Sequence, residues 1–280
     1  MNLTALWQSR NGHALVEDFG VLADESEEAY RTKSGQYLDG EQLGDFRQDA
    51  FLFHKRQCGL VPPERRRDAE VDQAIKIRIL QGTECYRAHY AFAGPIDPQN
   101  GRPLSEYSSE YWRWAAEQTK PILTPDQADL IEQIDFAYRA HDGAQQLLSD
   151  GVAYGVVRTR YCGVPCQARI DWLNPKRGLV AVTTCDFFRW RDTHIRDSGV
   201  LHLLAFQRAL LAQTAGRRLP AHVISLEKQT PHRCGVWAIS ERLLRRAQKD
   251  NEKAIAQLQE CRCLNRWPTG YERIRKLKPI

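Results

Sequence analysis

The stretch Cys166–Trp190, CQARIDWLNPKRGLVAVTTCDFFRW, decides the fold. Its opening residues suit a half-buried strand that ends in an acid, Asp171. Asn174-Pro175 to Gly178 supplies residues that favour a tight turn. Leu179 to Thr184 then forms a second, apolar strand. The result is a hairpin with one acid on its first strand, while its second offers only Ala181, Val182 and Thr183.

Outward from this hairpin the period stays near two. GVVRTRYCG and VPCQARIDWL read as paired strands around Gly163, and GLVAVTTC as a third. DTHIRDSGVLHLLAFQRALLAQ reads as a helix interrupted or begun near Gly199, and AHVISLEK and RCGVWAIS as two more strands joined by a loop at Gln229 to His232. Ser240 caps a last helix whose buried stripe is Leu244, Ala247, Ile255 and Leu258.

Upstream the pattern is helical. The first 35 or so residues show weak periodicity and read as an irregular N-terminal arm. Leu43, Phe46, Phe51 and Phe53 are spaced as in short helices, and VPPERRRDAE is a loop leading into the helical AEVDQAIKIRILQG. GPIDPQNGRP is a connector, followed by SSEYWRWAAEQT and by TPDQADLIEQIDFAYRAH, where Thr124 is the N-cap and Pro125 the first helical residue. Helices first, then βββ-α-ββ-α, predict an α/β chain with a mixed sheet flanked by helices. The expected organisation is an arm over 1–35 and one domain over 36–280, helical in 36–150 with its sheet core in 151–280.

The 280 residues suffice for a sizeable core. No apolar run of about 18 residues occurs, and the N-terminus lacks a basic-then-apolar leader, so a cytoplasmic protein with no membrane partner is expected. Eight cysteines are scattered, which favours reduced, packed thiols. Cys162-x3-Cys166 and Cys261-x-Cys263 are the one spacing that could join a four-thiolate zinc or iron–sulfur site. Charge is divided unequally. Residues 1–150 carry 16 Lys/Arg against 25 Asp/Glu, and residues 151–280 carry 24 against 10, so net −9 and +14 sum to +5. The C-terminal half is therefore a candidate polyanion-facing surface, with Arg158, Arg160, Arg169, Arg189, Arg191 and Arg196 as its candidate DNA contacts. The basic tail RIRKLKPI suits either that role or simple solvation.

The order of elements, with GVVRTRYCGVPCQARIDWL, LEKQTPHRCGVWAIS and RCLNRWPTGYE, resembles the exodeoxyribonuclease VIII group of PD-(D/E)XK nucleases, relatives of the phage lambda exonuclease, from about Tyr37 to Tyr271. The resemblance implies a site in which two acids hold Mg²⁺ or Mn²⁺ on the scissile phosphate, a lysine helps activate water, and a glutamine and a tyrosine on the next helix support them. Asp171 stands at the first acid. Ala181 falls where the second acid would be and Thr183 where the lysine would be, and shifting by one residue offers only Val180 and Val182. Leu203 and Gln207 occupy the helix positions, Tyr154 stands where an acid is usual, and Lys76 where a histidine is usual.

Such a chain is expected to be a catalytically impaired pseudo-nuclease that needs no cofactor. Its expected role is binding duplex DNA, or serving a recombination, phage or defence partner, with a homo-oligomer as one further expectation. Asp171 is then either a capping or turn acid beside Asn174-Pro175 or a residual metal or phosphate contact. The alternatives are an active Mg²⁺- or Mn²⁺-dependent exonuclease with relocated residues, and an interaction subunit that does not touch DNA. Asp186, Glu227, Lys228 and Lys76 are the substitutes within reach of the site. Adjacent strand residues such as Glu227 and Lys228 point to opposite faces.

Overall fold

The computed structural model of the protein describes residues 22–274, except 63–67, 93, 99, 103, 106, 190, 191 and 217. In chain order it has α1 (Glu27–Thr32), α2 (Gly40–Gln48), α3 (Ala50–Gln57), α4 (Ala69–His89), β1 (Ala91–Phe92), α5 (Ser109–Glu117), β2 (Ile122–Leu123), α6 (Pro125–Arg139) and α7 (Asp142–Leu147). There follow β3 (Val152–Tyr161), β4 (Val164–Asn174), β5 (Gly178–Cys185), α8 (Thr193–Asp197), α9 (Val200–Ala215), β6 (Ala221–Glu227), β7 (Cys234–Ala238) and α10 (Glu241–Leu264).

Local chemistry sets the boundaries. Thr124 accepts from the amide of Gln127 while the Gln127 side chain returns to the Thr124 amide, a reciprocal cap ahead of Pro125. Ser240 accepts from the Leu243 amide to start α10. Gly199 adopts φ +77° between α8 and α9, which separates the two where a continuous helix is sterically awkward. At Gly82, φ +83°, the backbone leaves helical geometry, as the sequence reading of AEVDQAIKIRILQG expects, and a second helical segment continues beyond the kink to His89. Burial of Tyr86 against Tyr90 and Phe92 carries it through that kink.

Strands β3 to β7 pair in chain order, with β5 and β6 parallel and the other neighbours antiparallel. This mixed sheet is flanked by helices on both faces. Leu204, Phe206 and Leu210 of α9 pack with Ile170, Ala181 and Val223 on one side, together with residues of α2 and α10. On the other, Ile75 and Ile79 of α4 and Ile131 and Ile134 of α6 pack with Val180, Val182, Ile224 and Leu226. Alternate residues of β5 therefore serve two separate apolar layers, as strand geometry requires. Each fully buried aliphatic side chain here contributes roughly 1.5–3 kcal/mol.

One irregularity matters for the site. β3 and β4 stay in register from Val152↔Leu173 to Tyr161↔Val164, and β5 and β6 from Leu179↔Ala221 to Cys185↔Glu227. Between them, β4 and β5 pair only at Trp172↔Val180, Leu173↔Leu179 and Asn174↔Gly178. Beyond Trp172 the sheet opens into a fork, with Asp171 at its crotch.

The expectation of an irregular arm over 1–35 is corrected for residues 22–35; residues 1–21 lie outside the described set. Leu22 is buried in the core, Ala23 exchanges two backbone hydrogen bonds with Val156, and Ser26 caps α1. The weak periodicity hid this because the segment is held largely by its charged side chains.

At the hairpin turn, Gly178 has φ +95°, and a Cβ there would stand 2.1 Å from the Pro220 carbonyl oxygen. Gly178→Ala is expected to destabilise the protein by on the order of 1–3 kcal/mol, read as a lower urea midpoint with an unchanged denaturant slope.

Candidate functional site

Asp171 is not a turn acid. The turn is built by Asn174, whose Oδ1 accepts from the amides of Lys176 and Arg177 and whose Nδ2 donates to the Ser149 carbonyl. Asp171 instead looks across the fork. Its Oδ2 accepts the Val182 amide at 2.9 Å, a donor that the truncated β4–β5 ladder leaves free. Lys76, from α4, closes on the same carboxylate, with Nζ 3.1 Å from Oδ2 and 3.4 Å from Oδ1. Both side chains are largely shielded, Lys76 28% and Asp171 15% exposed, so solvent screens their attraction less than at an open surface.

The Val182 contact places residues 181–183 across the fork from Asp171. Ala181 and Thr183 flank Val182 and share the face of β5 opposite to it, since successive strand residues alternate. Ala181 is buried in the α9-side layer, and Val182, like Val180, in the α4-side layer. Neither Ala181 nor Thr183 brings a carboxylate or an ammonium. On α9, Gln207 is buried and spends its amide on the Arg169 carbonyl at 2.9 Å. Leu203 packs over Gly40, where an added Cβ would come within 2.6 Å of its Cδ1.

Tyr154 is buried at φ +58°, with the Arg169 guanidinium 4.1 Å from its ring centroid. Burial first, and then the Asp171 charge, push its phenol pKa up, so it stays a neutral hydroxyl. Arg169 in turn donates to Glu27 of α1 at 3.1 Å, and Gln73 of α4 donates to the same Glu27 oxygen at 3.0 Å. Asp171 is thus matched by Lys76, and Glu27 by Arg169 together with Arg31 of its own helix. Glu27 escaped sequence reasoning, since nothing in its spacing ties it to a residue 142 positions away.

α4 continues this pattern along one stripe, because Asp68, Asp72 and Lys76 are four residues apart. Lys228, just past β6, lies 3.1 Å from Asp68, 3.4 Å from Asp72 and 3.7 Å from Asp186. Burial alone would lower its pKa, but Asp72 and Asp68 outweigh that and hold it above the usual lysine value. Thr184 donates to Asp72 at 2.8 Å. Glu227 points the other way, as its strand position requires. Arg233 and the Phe188 amide bind it and hold its carboxyl down at about 2. A cavity of about 460 Å³ opens beside this cluster, lined among others by Asp72, Thr184, Asp186, Arg189, His194 and Lys228.

The donor set does not suit a divalent ion at the fork. Mg²⁺ and Mn²⁺ need free carboxylate or carbonyl oxygens. Asp171 offers one carboxylate already bonded to an ammonium and an amide, with no second acid at 181. Among the described residues no group of three His, Cys, Asp or Glu is placed to hold a metal. The four cysteines of the possible thiolate site are divided, with Cys166 and Cys261 buried and Cys162 and Cys263 exposed.

The candidate DNA contacts separate into groups. Arg158 and Arg169 are engaged by Glu25 and Glu27, and Arg160 donates to the Gly163 carbonyl. Arg189 is 57% exposed, near Asp197 and over the Phe187 ring. Arg196 is exposed, and Arg191 lies outside the described residues, as does most of the basic tail. No helix among the described residues is long and apolar enough to cross a membrane.

A family model, the PDDEXK-like domain of unknown function (DUF3799), matches residues 89–278. A crystal structure from Eubacterium rectale bearing a provisional exonuclease name is similar to this chain with a TM-score of 0.64 and 14% sequence identity. The likeness covers 92% of this chain and 96% of that one, and at this identity it is one of fold. No curated protein matches. The family match begins at the end of α4, so Lys76, Gln73 and Glu27 lie outside it.

Removing one member of the ion pair leaves the other charge shielded and unmatched. The separate destabilisations of Lys76→Met and Asp171→Leu are therefore expected to add up to more than that of the double variant. A coupling of about 1 kcal/mol or more in a denaturation cycle is the expected outcome. Strict additivity would show the pair to be incidental.

Proposed function

The chain belongs to the PDDEXK-like DUF3799 family, and from that premise we propose that it is a pseudo-nuclease of the exodeoxyribonuclease VIII type, which binds duplex DNA without cutting it. The observation that supports this most is the Lys76 ammonium on both oxygens of Asp171. In an active member of such a fold a divalent cation neutralises that carboxylate and acidifies a bound water. An ammonium supplies the neutralising charge but has no open coordination position for water or phosphate. With Ala181 and Thr183 across the fork, nothing there stabilises the charge that develops on a scissile phosphate.

DNA binding rests on the +14 charge of residues 151–280 and on the exposure of Arg189 and Arg196. Neutralising phosphates releases condensed counterions, so such binding is sequence-tolerant and salt-sensitive. A recombination or phage protein partner remains compatible with the same fold. One observation favours a second reading, an active exonuclease: Lys76 reaches Asp171 from another element, as a relocated lysine would. Digestion separates the two.

Linear duplex incubated with Mg²⁺ or Mn²⁺ is expected to be degraded no faster by the protein than by its Asp171→Ala variant. Metal-dependent digestion that Asp171→Ala abolishes would establish the active enzyme instead. Rebuilding the site tests the cause. Lys76→His with Ala181→Asp and Thr183→Lys puts an acid into the α9-side layer and takes the Lys76 ammonium from Asp171, so it should be less stable than the parent in chelator, and it should regain stability as Mn²⁺ is added where the new acid reaches Asp171. Equal Mn²⁺ melting shifts in parent and variant would mean that position 181 does not face Asp171.

For the DNA contact, replacing Arg189 and Arg196 by glutamine is expected to weaken duplex retention at low salt. It should also flatten the plot of log affinity against log salt by roughly 1 to 2. Retention indifferent to salt would favour the interaction subunit.

A further inference from the structure

Alternate residues of a strand share a face, and so do partners across an antiparallel ladder. On β3 this aligns Arg158 with Arg160, and on β4 it aligns Gln167 with Arg169, with Arg158 opposite Gln167 and Arg169 opposite Val156. These arginines form a row along the outer face of the β3–β4 hairpin that leads to Asp171 and Lys76 at the fork. An acidic segment of the chain itself lies on the row. Glu25 takes Nη1 and Nη2 of Arg158 at 2.6 and 2.9 Å, and Glu27 takes Arg169 at 3.1 Å.

The segment is fastened by charge and by a few neutral contacts. Besides these ion pairs, the Lys33–Glu25 contact and the Gln73–Glu27 bond, Leu22 lies in the core, Ala23 pairs with Val156, and Gln167 donates to the Tyr30 carbonyl. Arg158 presents to Glu25 the two-pronged donor geometry that suits a phosphate equally well. The Glu25 carboxyl is held down at about 2, chiefly by its hydrogen bond with Arg158, which marks how fully this contact is ionic.

We infer that the outer face of the β3–β4 hairpin, carrying Arg158, Arg160 and Arg169, is a surface for the phosphate backbone of a nucleic acid, and that residues 24–31 cover it in the free protein as an internal competitor. Binding exchanges the Glu25 and Glu27 carboxylates for phosphates, uncovers the row and lets the backbone run toward the fork. The segment thereby sets a threshold: weak or short polyanions do not displace it, and a duplex engaging several phosphates at once does. This rests on the DNA-binding reading above and adds to it the face that is used and the element that guards it.

The test uses the full chain. Glu25→Gln with Glu27→Gln is expected to bind a short duplex at least roughly ten-fold more tightly than the parent at low salt. Its salt slope should be steeper by about 2, one for each freed arginine. Adding Arg158→Gln and Arg169→Gln should remove the gain. Equal affinities of parent and Glu25→Gln/Glu27→Gln, both measurable, would overturn the inference while leaving DNA binding in place. No binding by any form would overturn both. Should the double variant fail to fold, hydrogen exchange on the unaltered protein decides. Saturating duplex is expected to speed exchange in residues 22–33 several-fold, and unchanged exchange there would sink the proposal.

Discussion

The Lys76–Asp171 ion pair joins parts of the molecule that no backbone ladder connects. β4 leaves β5 after Trp172, and a parting of strands inside a sheet would strand amides such as that of Val182. Asp171 takes that amide and Lys76 takes Asp171, so a helix, the edge hairpin and the central strands meet at one carboxylate. The same helix contributes Asp72 to Thr184 and Asp68 to Lys228. Its polar stripe follows the strand ends as its apolar stripe follows the layer beneath.

This arrangement accounts for how the fold holds a shielded carboxylate at its fork with no charged side chain at 181 or 183. A solitary shielded carboxylate is costly, and a cation beside it is a structural requirement whatever its chemical role. A metal meets that requirement only where several ligands hold it. With alanine and threonine at 181 and 183, a covalently tethered ammonium meets it at lower ordering cost, because α4 is already fixed by Ile75, Ile77 and Ile79 in the core.

Charge is organised by the same logic at a larger scale. The N-terminal part is acidic and the C-terminal part basic, and the structure shows where they meet. Glu25 and Glu27 sit on Arg158 and Arg169, and Asp68 and Asp72 on Lys228. Basic residues near the fork are thus matched from within the chain, whereas Arg189 and Arg196, on the segment between β5 and α9, face solvent.

The sequence by itself determined the order of the five long strands and the helices among and after them, the two caps at Thr124 and Ser240, the break at Gly199 and the absence of charged side chains at 181 and 183. These follow from local periodicity, turn chemistry and residue identity, which need no partner to be read. It also marked Asp171 and Lys76 individually. Only the tertiary structure decided that they touch, that Asn174 and not Asp171 builds the turn, that Glu27 joins Arg169 beside them, and that residues 22–33 include a short helix and pair with β3 and β4. The physical reason is separation along the chain. An ion pair between residues 95 or 142 positions apart leaves no periodicity behind, and its geometry exists only once the sheet has forked and the helix has packed against it.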